Sequence, residues 1–232
     1  MAAIHSEGRN GGDVQQRRSL PSEGNPSGEA GKFPVVSDVD VPRAGLYGLL
    51  ARVLGAPMSD ETLEIVRGLG SEYTGTDTDL GQALALLGAM AGRTSRTGAE
   101  EEYTLLFFGM GAGGEMHPYA SQYLTGFVYE KPLAKLRHDM DAIGVAASGT
   151  SSEPEDHIAY LCEIMHGLIT GAFGEPATLA DQQKFYETHM ASWAGQFFTD
   201  LEGAEAAALY TPVGTIGRLF LAIEAEAFEM AA

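Results

Sequence analysis

The chain has 232 residues, 44% of them hydrophobic, and a formal net charge of -18. That length supports a core without disulfide or metal staples, and the single cysteine, Cys162, rules out an internal disulfide framework. The acidity excludes a nucleic-acid partner, whose phosphates it would repel, and suits a basic one.

Residues 1–37 hold four Lys/Arg, four Asp/Glu and few large apolar side chains, so they are expected to stay disordered and the charge excess falls on residues 38–232. Arg17-Arg18 is followed by Gly, Ser, Pro and Glu rather than by an apolar stretch, so the pair is not read as an export signal. No apolar run of about 18 residues is present to cross a membrane.

From Asp40 onward the pattern turns helical. Asp40 is placed to cap a helix with Pro42 in its first turn and Leu46, Leu49, Leu50, Val53 and Leu54 on one face. Ser59 predicts the cap of a short helix carrying Leu63, Val66 and Leu69. Leu80, Leu84, Leu87 and Met90 form the next stripe, ended by the breakers of 92–98. A helix from about Ala99 to Phe108 leads into the glycine-dense stretch 109–114. Leu133, Leu136, Met140 and Ile143 mark another, with Pro132 in its first turn.

Ser152 and Glu155 have capping-box spacing ahead of Ile158, Leu161, Cys162, Met165 and Ile169, which predicts a helix beginning near 152 with Pro154 in its first turn. On that helix His157 falls at the edge of the apolar stripe, while Asp156, Tyr160 and Glu163 share an adjacent face. Phe185, His189, Trp193 and Phe197 recur every four residues, and Val213, Ile216, Phe220 and Ile223 mark the last helix. No strand alternation is evident. The expected fold is all-α: one helical bundle over 38–232 with roughly eight to eleven helices.

Catalytic motifs are missing. The glycine stretch lacks the Gly-Lys-Ser/Thr of a phosphate loop, and neither His-Glu-x-x-His nor Gly-x-Ser-x-Gly occurs. Glu163 and His166 form a single Glu-x-x-His, whereas a di-metal bundle needs two such units and two further glutamates. A small helical metal-binding enzyme built on Glu163 and His166 is therefore the alternative from a different class. The acidic group Glu153, Glu155 and Asp156 suits a helix N-terminus. Tyr119, Tyr123, Phe127 and Tyr129 with Ser121 combine rings and hydroxyls, which serves either core packing or a peptide groove.

Three blocks, in order, resemble the TorD/DmsD/NarJ family of redox-enzyme maturation chaperones. They are Glu102-Tyr103-Thr104-Leu105-Leu106-Phe107-Phe108-Gly109 leading to Pro118-Tyr119-Ala120-Ser121-Gln122-Tyr123, then Glu153-Pro154-Glu155-Asp156-His157-Ile158, then Phe185 to Met190 with Trp193 and Phe197. Met110 and Ala120 depart from the family's usual proline and acidic residue. The resemblance implies a cytoplasmic, non-enzymatic chaperone without a cofactor. Such a protein binds the twin-arginine signal of a molybdoenzyme catalytic subunit; a helical fold by itself allows a monomer or a domain-swapped dimer. A NarJ-type assembly role for a membrane-associated nitrate reductase is the alternative within the family. Peptide binding is thereby expected at Tyr119, Ser121, Tyr123, Asp156 and His157, and Glu153 joins them as a second acidic group for the arginines.

Overall fold

The computed structural model describes residues 14–16, 37–109, 113–147 and 153–231. In chain order these form β1 (Val14–Gln16), α1 (Asp40–Gly55), α2 (Asp60–Glu72), α3 (Asp79–Ala91), α4 (Arg96–Phe107), α5 (Ala120–Thr125), α6 (Lys131–Ala142), β2 (Val145–Ala147), α7 (Ile158–Thr170), α8 (Leu179–His189), α9 (Ala194–Gly203) and α10 (Thr211–Ala231). The architecture is helical, with ten helices among the described residues. The exception is a ribbon of three-residue strands, in which Val14 pairs with Ala147 and Gln16 with Val145. Val14–Gln16 lies within the segment expected to be disordered. The remainder of that segment, the centre of the glycine stretch (110–112) and Ser152 fall outside the described residues.

Hydroxyl caps set four of the helix starts. Ser59, Thr78, Ser95 and Thr178 each accept the N–H of the residue three positions on, which satisfies an orphan donor of α2, α3, α4 and α8. Asp40, expected as a cap, is instead the first residue of α1. Its N–H and carboxylate are both held by the Ser37 hydroxyl.

Helices pack as α1 on α7, α2 on α3, and α10 on α9 and α3. One buried cluster runs through them, with Tyr47, Leu50 and Leu54 from α1, Leu161 and Met165 from α7, and Phe197, Phe198 and Phe220 from α9 and α10. Close approach depends on missing side chains. A Cβ on Gly88 would lie 2.1 Å from the Gly70 nitrogen, so α2 and α3 touch backbone to backbone. Gly88→Ala is expected to destabilise the fold by about 1–3 kcal/mol, as overpacking does, read as a lower urea midpoint at an unchanged slope.

Polar clasps join distant parts of the chain. Arg43 grips the buried Glu224 with both carboxylate oxygens engaged, Nε to Oε1 at 2.7 Å and Nη2 to Oε2 at 2.8 Å. The Tyr47 hydroxyl donates to the same carboxylate at 3.1 Å. Glu102 accepts the N–H groups of Ala208, Leu209 and Tyr210 at 2.7–3.0 Å, just ahead of α10. A carboxylate is favoured there, where the helix presents the positive end of its dipole. Tyr103 and Tyr210 donate to the Leu54 and Val53 carbonyls near the end of α1. The Glu102-Tyr103 block thus ties α1, α4 and α10 together.

Candidate functional site

Residues 118–121 and 156–158 are stitched together by an antiparallel bridge between Tyr119 and His157. Ala120 N donates to the Asp156 carbonyl at 3.0 Å, and Ile158 N donates to the Pro118 carbonyl at 2.8 Å. These two paired residues are the N-caps of α5 and α7. The Tyr119 side chain does not cap α5. Asp156 does so from across the bridge, accepting the Ser121 N–H on Oδ2 at 2.8 Å. One carboxylate therefore fixes the start of one helix while its backbone leads into another.

This arrangement corrects the expected start of α7. The helix begins at Ile158, and Glu153-Pro154-Glu155-Asp156 is a turn before it. His157 is the cap rather than a residue on the helical wheel, and its Nδ1 accepts the Ala159 N–H at 3.1 Å. Competition explains the difference: the bridge to 118–120 holds Asp156 and His157 extended, which no local capping pattern reveals. Asp156 is 1% exposed and Tyr160 is buried, so they present no acidic, aromatic strip with Glu163 to solvent.

Burial pushes the His157 imidazole down to about 4, and its Nδ1 must stay unprotonated to accept from Ala159. The folded-state value lies below the unfolded one of about 6.5. Its contribution is therefore complete above that pH and is lost as pH falls toward about 4, some 3 kcal/mol in all. Asn caps helices well without titrating there. His157→Asn is expected to flatten this part of the acid limb, measured as urea stability between pH 7 and 4. An unchanged pH slope would contradict the assignment.

Tyr119 sets its ring edge-on to His157, with centroids 5.3 Å apart, and donates its hydroxyl to Glu153. Desolvation, with Glu153 beside it, holds the Tyr119 phenol well above its ordinary value. Tyr119, Ser121, Glu153, Asp156 and His157 are thus brought together. Tyr123 is not part of that group. It leans on Trp193 and Phe197 and donates to Asp200 at 2.8 Å. There it lines a separate cavity of about 610 Å³ between α5, α9 and residues 115–117.

On the other side of α5 lies a cavity of about 350 Å³. Ala120, Leu124, Pro132, Leu136 and Leu161 supply apolar walls, and Asp156 is the carboxylate among them. Its Oδ1 is buried and has no hydrogen-bond partner among the described residues, and neither has the Ser121 hydroxyl. Such an atom is costly to leave unmatched. Lys131, Lys135 and His189 also line the cavity. Lys135 is bound to Asp139 at 2.6 Å, and Lys131 is exposed. Next along the chain, Phe127 and Tyr129 are 69% and 68% exposed, and Tyr129 adopts a φ of 63° that bulky residues rarely accept. They form an apolar ledge, not core. Among the walls from α6 and α8, Leu136 and His189 lie on their helices' ordinary stripes, so nothing in the sequence marked them as cavity residues.

A metal site at Glu163 and His166 finds no geometric support. His166 Nδ1 lies 2.8 Å from the Ala44 carbonyl, and no group of three or more metal-ligating side chains occurs among the described residues. Cys162 is fully buried, and desolvation pushes its thiol up, away from the reactive range. The expected Phe185–Phe197 face is split, because α8 stops at His189 and α9 starts at Ala194.

Ten helices packed around one buried cluster, with residues 118–121 and 156–158 bridged beside Asp156, make up the fold. It is shared with a crystal structure from Archaeoglobus fulgidus, provisionally assigned as a redox enzyme maturation protein. That match has a TM-score of 0.54 and 19% sequence identity, covering 77% of this chain and 93% of the other. Residues 74–199 match the profile of the nitrate reductase delta subunit family, and the chain belongs to that family of NarJ/TorD-type chaperones. No curated protein sequence matches it.

Proposed function

We propose that this protein binds the N-terminal twin-arginine signal of a molybdopterin-containing oxidoreductase subunit and holds it from export until cofactor insertion and folding are complete. It acts in the cytoplasm and performs no chemistry of its own. The observation that carries this reading is the 350 Å³ cavity, which Asp156 lines beside apolar walls while its carboxylate keeps one buried oxygen, Oδ1, without a partner among the described residues. A guanidinium on an aliphatic stem supplies the missing donor and fills the apolar space. The exposed ledge at Leu124, Phe127 and Tyr129 suits the apolar stretch that follows the arginines in such signals. Tyr119, Ser121, Glu153 and His157 hold Asp156 in place, and Tyr123 serves the neighbouring cavity.

Calorimetric titration with twin-arginine signal peptides, against Lys-Lys versions, tests this. Saturable micromolar binding that the Lys-Lys change abolishes is expected. A second reading, assembly of a membrane-associated nitrate reductase, is favoured by the name of the matching family. Absence of binding to every signal peptide, with capture of the mature catalytic subunit, would select it.

A further inference from the structure

We infer that Arg137 holds the place of a ligand guanidinium on the 153–156 turn and gives way when a peptide carrying adjacent arginines binds. This rests on the peptide-binding reading above and names how the site is kept in its unliganded form.

Two arginine–carboxylate pairs in the molecule differ in kind. Arg43 uses two nitrogens on two oxygens of a Glu224 that is 1% exposed, and its own side chain is 16% exposed. Arg137 brings Nε and Nη2 to the same oxygen, Oε2 of Glu155, at 2.9 and 2.7 Å, from a side chain that is 54% exposed. The first is a locked fork; the second is a side-on grip at the surface, worth little to the fold and easily exchanged. Glu155 itself is only 16% exposed on its side chain, so it is held toward the protein and a guanidinium must come to it.

Arg137 also sits in the field of more than its partner. Its guanidinium is raised above its ordinary value, first by the Glu155 hydrogen bond and then by the charges of Glu155 and Asp156. Two carboxylates of the turn, Glu155 and Asp156, therefore act on Arg137 of α6, and the buried Oδ1 of Asp156 remains unpartnered among the described residues. The same helix contributes Pro132 and Leu136 to the cavity wall. A swing of the Arg137 side chain alone exposes Glu155 to a second guanidinium while the first enters beside Asp156. Adjacent arginines on a peptide would then be read as a pair by two carboxylates that are neighbours in sequence, Glu155 and Asp156.

The test uses the full chain, a twin-arginine signal peptide and its Lys-Lys version, with wild type, Arg137→Gln, Glu155→Gln and the double variant. Arg137→Gln is expected to bind the Arg-Arg peptide about two- to fivefold tighter, the upper span of a surface ion pair, with thermal stability nearly unchanged. Glu155→Gln should weaken binding, and in its presence Arg137→Gln should have no further effect. Binding to wild type that Arg137→Gln leaves unchanged or weakens overturns this inference alone, since a purely structural Arg137 gives that result. No binding to wild type or to Arg137→Gln overturns both this inference and the peptide-binding reading.

Discussion

Arg43→Ala is expected to destabilise the protein by about 3–5 kcal/mol, because it leaves the Glu224 carboxylate buried without its cation. Arg43 holds α1 to α10 through Glu224, reaches Asp40 at 2.6 Å and meets Gln182 of α8 at 3.2 Å. It also lies over the Phe228 ring, 5.4 Å from its centroid. Three helices therefore lose a common partner. A loss of that size is a large part of the 5–15 kcal/mol typical of a domain, and should lower the melting temperature by about 10 °C. Arg43→Met combined with Glu224→Leu should recover much of the loss, since an apolar pair removes both charges at once. A melting temperature within two degrees or so of wild type for Arg43→Ala would show that Glu224 finds another partner or is hydrated.

The second large effect falls on binding. Asp156→Asn retains an oxygen able to accept the Ser121 N–H, so α5 should keep its cap and the helix content should not change. What disappears is the negative charge at the cavity wall. A hydrogen bond to a charged group contributes about 1.5–3 kcal/mol, so affinity for a twin-arginine peptide should fall well over tenfold. The wild-type affinity should also weaken with added salt, the variant's less so. Retained affinity in Asp156→Asn would remove this carboxylate from the recognition site. His157→Ala is a poorer probe, because His157 caps α7 and its loss would unsettle the bridge that holds Asp156.

Much of the fold was legible because helical periodicity and caps are local. Ser59 begins α2 as its spacing indicates. Leu84 and Leu87 of α3, Leu133, Leu136 and Met140 of α6, and Val213, Ile216 and Phe220 of α10 are buried as expected, whereas Ile143 and Ile223, expected on the same stripes, are exposed. The misplaced start of α7 has the opposite cause. Ser152, Pro154 and Glu155 form a sound local signal, yet the pairing of 118–120 with 156–158 keeps the chain extended for longer. Two short strands, each of three residues, were equally invisible, since neither has an alternation long enough to stand out.

The candidate site divides along the same line. The residue types at Tyr119, Ser121, Glu153, Asp156 and His157, their order, and the family they resemble could all be read from the chain. So could the absence of catalytic motifs and the concentration of negative charge in residues 38–232. Only the tertiary structure decided that Asp156 is a buried cap with one oxygen to spare, that Tyr123 serves a different cavity, and that Arg137 covers the acidic turn. Identity and spacing are properties of one strand of text. Burial, shared hydrogen bonds and the field at a carboxylate depend on which distant segments arrive beside it, and here those segments come from four different helices.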